Sequence, residues 1–124
     1  MGRSPHREIA ELKAGRPVVH VGHGNSMTPK LHSGDRMLIA PIAEGEKLER
    51  GDIVLCTVKG STFTHLVNGV QPNRYQIANN HGRVNGWCHE SKVYGKVVRA
   101  WSAAGTIRWQ LPEASKWMGQ LGIE

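Results

Sequence analysis

The sequence predicts a mainly β domain of short antiparallel strands with a short helix at each end. Three observations carry that expectation. Apolar residues fall in short runs rich in Val and Ile, such as Ile53-Val54-Leu55-Cys56-Thr57-Val58. Turn signals separate the runs, and the chain holds 15 Gly and 6 Pro. Its 124 residues, 39% of them hydrophobic, suffice for one modest core, so residues 1–124 are read as one domain.

Ser4-Pro5 reads as a cap and a first-turn proline, with Ile9 and Leu12 three apart and Gly15 as a stop. This predicts a helix near residues 5–14, within an N-terminal helical segment of residues 1–16. Val18, Val19 and Val21 then lead as a strand into a serine loop. Thr28-Pro29 is a bend, Ser33-Gly34-Asp35 a turn, and residues 37–40 a strand. Residues 41–50 are polar and read as a loop. Gly51-Asp52 repeats the Gly-Asp turn before the strand at 53–58. Lys59-Gly60-Ser61 reads as a hairpin, with Phe63 to Val67 returning and residues 74–78 a short strand. Residues 79–87 are polar and Gly-bearing, which predicts a loop. Residues 93–101 and 106–111 are further strands around Ala104-Gly105. Pro112 opens a last helix over 112–124, with Trp117 and Leu121 four apart and Gly122 ending it.

Composition narrows the function classes. The formal charge is +6 and the pI near 9.8, a balance that favours acidic partners, nucleic acid or anionic surfaces. The basic residues are scattered, so any nucleic-acid contact is expected to be unspecific. No stretch approaches the ~20 apolar residues that span a bilayer, and the charged first 15 residues lack a signal-peptide core. A soluble, cytoplasmic protein without a membrane anchor is the expectation. Cys56 and Cys88 are too few for a disulfide framework and are read as reduced and buried. His20 and His23, or Cys88 and His89, lack a second half for zinc, so neither metal nor cofactor is expected.

The chemistry lies in Gly24-Asn25-Ser26-Met27-Thr28-Pro29-Lys30-Leu31-His32-Ser33-Gly34-Asp35. A serine hydroxyl held at such a bend becomes a nucleophile when a base takes its proton. His65 is the candidate base. It alternates with Phe63 and Val67 on one face of a strand, where an imidazole needs a partner to offset its desolvation. Lys59, at the hairpin tip, is expected to be exposed and charged, hence a poor base.

The block Ser26-Met27-x-Pro29-x-Leu31-x-x-Gly34-Asp35 resembles the signal peptidase and LexA-type serine peptidase superfamily. Gly51-Asp52-Ile53-Val54, a base-bearing strand, Asn79-Asn80 and Gly95-Lys96-Val97 follow in that superfamily's order, so the likeness spans residues 18–100. The resemblance implies a twisted, mostly β fold and hydrolysis of a peptide bond. Most members use a lysine base, and His65 at that position resembles the histidine-using branch. That branch orients its histidine with an acid from a Gly-Asp-Asn block, and the matching position here is Asn79. Asp35 is another acid in reach of the argument, but its expected role is to cap the Gly-Asp turn. The oxyanion donor implied is the Ser26 N–H, with Asn25 and Met27 bordering the substrate. Gly24 stands where some members supply a hydroxyl, and its expected contribution is a positive φ or close backbone approach.

The function expected is therefore a soluble serine endopeptidase acting on a polypeptide through Ser26, His65 and an acyl-enzyme. Two alternatives stand beside it. One is an inactive module of the same fold that dimerises or binds peptides, and the other a basic nucleic-acid-associated factor with Trp87, Trp101, Trp109 and Trp117 available to stack bases. Self-cleavage at Ala14-Gly15, only 11 residues before Ser26, requires the chain to reverse and is disfavoured.

Overall fold

The computed structural model describes residues 5–123. Eight strands form one sheet, β1 Val18–Val21, β2 Arg36–Pro41, β3 Ile53–Val58, β4 Ser61–Gln71, β5 Arg74–Ala78, β6 Val84–His89, β7 Val93–Trp101 and β8 Ile107–Gln110. Every pairing is antiparallel, and the order is β1-β2-β7-β3-β4-β5-β6, with β8 also on β7. The fold is mainly β, as the short β-branched runs and dense turn signals require.

Two short helices flank the sheet, α1 His6–Lys13 and α2 Ala114–Met118. The α1 helix buries Leu12 against β2 and β7, and Gly95 is what lets it approach. A side chain at 95 would meet Ile39 Cγ2 at 2.6 Å and Leu12 Cδ1 at 3.0 Å. The Ser4 cap lies outside the described residues. The last helix is shorter than its sequence suggests. It follows Pro112 by two residues, tightens into a 3-10 turn over Gly119–Leu121, and stops at Gly122 in the left-handed region. Trp117 packs with Leu38, Val98 and Ala114, while Leu121 stays exposed.

One expectation fails. Residues 79–87 are not all loop, because β6 begins at Val84 and pairs with β5 through His89. Its polar residues and Gly86 hide the strand from a hydrophobic pattern, and β5 supplies the ladder that makes it one. Strand β4 also runs four residues beyond Val67.

The ladder carries bulges that matter later. Ile77 pairs with Gly86 and Ala78 with Val84, so Asn85 is an extra residue on β6. Ala100 pairs with Trp109 and Trp101 with Ile107, so Arg108 is an extra residue on β8. A bulge bends its strand and re-aims the side chain it carries.

The core falls into three clusters. Leu12, Met27, Leu31, Met37, Ile39, Leu55 and Val97 anchor the one beneath the serine loop. Cys56 and Cys88 belong to a second, and both are free thiols. No helix among the described residues is long and apolar enough to cross a membrane.

Candidate active site

The serine loop runs from Val21, at the end of β1, to Arg36, at the start of β2. Its neck is closed by two backbone bonds, Gly22 N–H to Asp35 C=O and Gly34 N–H to Gly22 C=O. Gly24 adopts φ +93 with open space where a Cβ would be, so conformation rather than crowding selects glycine there. The Thr28-Pro29 bond is cis. Met27 is 4% exposed and packs into the core below, which pins the loop from beneath.

A second loop pins it from the side. Asn80 N–H donates to Ser26 C=O at 2.9 Å, and Asn80 Nδ2 donates to Thr28 C=O at 3.0 Å. His81 Nε2 lies 3.0 Å from both Asn25 C=O and Thr28 Oγ1. The serine backbone is thus held on both flanks by consecutive residues of the β5–β6 connection.

Ser26 Oγ lies 3.1 Å from His65 Nε2. His65 sits on β4, is 8% exposed, and stacks on Phe63 with ring centroids 4.8 Å apart. The period-two face read from the sequence places these two rings together. On the far side of the imidazole, Nδ1 lies 2.7 Å from Asn85 Oδ1. An amide oxygen only accepts, so Nδ1 carries the proton and Nε2 presents its lone pair to the serine hydroxyl. Ser26 then donates to His65. Burial holds the imidazole below its ordinary range, and the Asn85 bond opposes that effect only in part.

Asn79 is not the group on His65. Its Oδ1 accepts the N–H of His81 and of Arg83, both at 2.9 Å, and so builds the turn between β5 and β6. The residue that reaches Nδ1 is the bulge residue Asn85, six positions on. Gly86 supports the bulge with φ +136, and a Cβ there would meet Lys59 Cε at 3.2 Å and Val58 Cγ1 at 3.3 Å. Only the Asn-Gly dipeptide marked this place in the sequence.

Asp35 is 2% exposed and does cap its turn, accepting the His32 N–H at 2.8 Å. It also receives Arg108, the β8 bulge residue, at 3.2 Å. Lys59 remains at the hairpin with φ +50, and Asn25, expected to border the substrate, is exposed and is not among the residues that line the cleft around Ser26. The Ser26 N–H makes no hydrogen bond among the described residues.

Ser26, His65, Asn79, Asn85 and Asp35 line a cleft of about 520 Å³, within the usual range for small ligands and peptide side chains. Met27, Leu31 and Met37 form part of its wall, Phe63 and His65 another, and Asn85 and Arg83 a third. Among the described residues no three His, Cys, Asp or Glu side chains gather as a metal site. Comparison with protein-family models, curated proteins and solved structures gives no match for this chain.

Proposed function

We propose that this protein is a serine endopeptidase of the signal peptidase and LexA type, working through a Ser26-His65 dyad. The observation that carries the reading is the linear chain Ser26 Oγ, His65 Nε2, His65 Nδ1, Asn85 Oδ1, with links of 3.1 and 2.7 Å. Each link fixes the next. Asn85 sets the tautomer, the tautomer gives Nε2 its lone pair, and the lone pair takes the hydroxyl proton as Ser26 attacks a carbonyl.

The resulting oxyanion needs a donor, and the Ser26 N–H is uncommitted. Imidazolium then returns its proton to the leaving amine. Water then gives a proton to Nε2 as its oxygen bonds to the acyl carbon, the bond to Ser26 Oγ breaks, and Nε2 returns the proton to Ser26 as the acid product leaves. The amide of Asn85 carries no charge, so it orients the ring without the imidazolium stabilisation a carboxylate adds. This favours a slower enzyme than a dyad backed by an acid.

The test is covalent labelling with a fluorophosphonate, which reports an activated serine without knowledge of the substrate. The wild-type protein should label at Ser26, and Ser26→Ala and His65→Gln should not. A folded wild-type protein that stays unlabelled while binding peptides would move the reading to a non-catalytic peptide-binding module.

A further inference from the structure

We infer that the cleft selects peptides carrying an Asp or Glu side chain beside the scissile bond, with Arg83 as the specificity-determining residue. The inference rests on the cleft being the substrate site of the proposed peptidase. It starts from the charges the cleft presents.

Arg83 lines the cleft on the wall that also carries Asn85. Its backbone is fixed at both sides, the N–H to Asn79 Oδ1 and the C=O to the Asn79 N–H, each at 2.9 Å. Its guanidinium has no hydrogen-bond or ion-pair partner among the described residues. A planar five-donor group on a fixed backbone is suited to bidentate capture of a carboxylate. Arg83 immediately precedes β6 and Asn85 is that strand's bulge residue, and both line the cleft, so a carboxylate held on Arg83 lies on the same wall as the group that orients His65.

No acid in the cleft competes for it. Asp35 is the acid that lines the cleft, and it is buried, already holding the His32 N–H and the Arg108 guanidinium. His20 is also a cleft residue, but its Nδ1 is taken by Glu8 at 2.6 Å. His23 and His32 add ring N–H donors at the mouth, and an imidazole can donate to a carboxylate in either protonation state. Among the described residues the cleft therefore offers one uncompensated permanent charge, and it is positive. A lysine or arginine in the substrate at this place would meet like charge, which adds discrimination by repulsion to discrimination by attraction.

The experiment uses the full chain with Ser26→Ala, which binds without turnover, and two capped tetrapeptides, acetyl-Ala-Ala-Asp-Ala-amide and its Lys counterpart. Binding is followed by NMR at the Arg83 Nε–Hε and His65 ring resonances. The Asp peptide should shift both sets of resonances and bind about five- to tenfold more tightly than the Lys peptide, with the gap narrowing in high salt. Arg83→Gln should erase the preference and Arg83→Glu should invert it, each with an amide spectrum that shows an intact fold. Equal binding of the two peptides, no binding of either, or a preference that survives Arg83→Glu overturns the inference. Failure of the peptidase reading is distinguishable, since it is read by fluorophosphonate labelling of the wild type. An unlabelled protein that still prefers the Asp peptide keeps the specificity and loses the enzyme.

Discussion

Asn85 reaches His65 from two strands away. Strand β5 lies between β4 and β6 in the sheet, yet Asn85 Oδ1 and His65 Nδ1 are 2.7 Å apart. The contact is possible because β5 ends at Ala78 and the bulged Asn85 projects across that end. The ring is gripped between the Ser26 hydroxyl from the β1–β2 loop and the Asn85 amide from a sheet irregularity.

The pH dependence follows from the buried ring. His65 must be neutral to accept the serine proton, and burial holds its pKa below the ordinary 6.5. The acid limb of kcat/KM should therefore lie below pH 6.5, with full activity above it. Stability has the same sign. As pH falls from 6.5 toward the folded-state value, the unfolded chain takes up a proton there more readily, so the unfolding free energy drops. His65→Gln should remove that part of the slope in denaturant titrations, and an unchanged slope would contradict it.

If the proposed peptidase reading holds, Asn85→Asp should raise the rate. A carboxylate on Nδ1 favours imidazolium, so the acid limb should move up by about one unit. The rate should rise roughly tenfold or more, as a charged partner stabilises the proton-bearing state. Asn85→Leu should do the reverse, leaving Nδ1 unpaired and the tautomer unset. Single-turnover rates across pH distinguish the three proteins.

Asn80→Ala tests the flank of the serine loop. It removes the bond to Thr28 C=O and should cost about 1 kcal/mol in stability. Because Ser26 is then less well placed, kcat should fall roughly tenfold with KM little changed. A loss confined to KM would assign Asn80 to substrate binding instead.

Asp35→Ala should destabilise without touching the chemistry directly. It orphans the His32 N–H and leaves Arg108 unpaired beneath the loop neck. Arg108 is one-third exposed, so the cost is that of a partly screened pair, about 2 kcal/mol. Thermal melting should fall by about 5–12 °C.

The two thiols should react in a fixed order. The neighbouring Cys88 thiol, together with burial, raises the Cys56 pKa, while Cys56 lowers that of Cys88. Alkylation of the native protein followed by mass spectrometry should find Cys88 modified first, by a factor of about ten or more. Preferential modification of Cys56 would contradict that order.

The parts of the site legible in the sequence are those set by local pattern. Ser26 sits in a loop whose Gly, Pro and Gly-Asp signals are all local. His65 shares a face with Phe63 because strand alternation is a two-residue rule. Asp35 caps a turn that its own neighbours define. Asn85 and Arg108 follow from no such rule, because a bulge depends on how two strands slip against each other. Strand β6 was hidden for the same reason. Its residues alternate weakly, and only pairing with β5 makes them extended. Asn79's place in a block suggests the orienting role, yet the turn needs its side chain for two backbone N–H groups.

A residue outside the ladder's pairing can change without altering the pairing. Tyr75 and Ile77 on β5 are buried, and any exchange there disturbs the core. Position 85 is different. Asn, Asp, Ser or His could stand there with the same strand register and the same core beneath. The electrostatics behind the histidine can thus change without a change of strand register, through whichever side chain at 85 still accepts the Nδ1 proton.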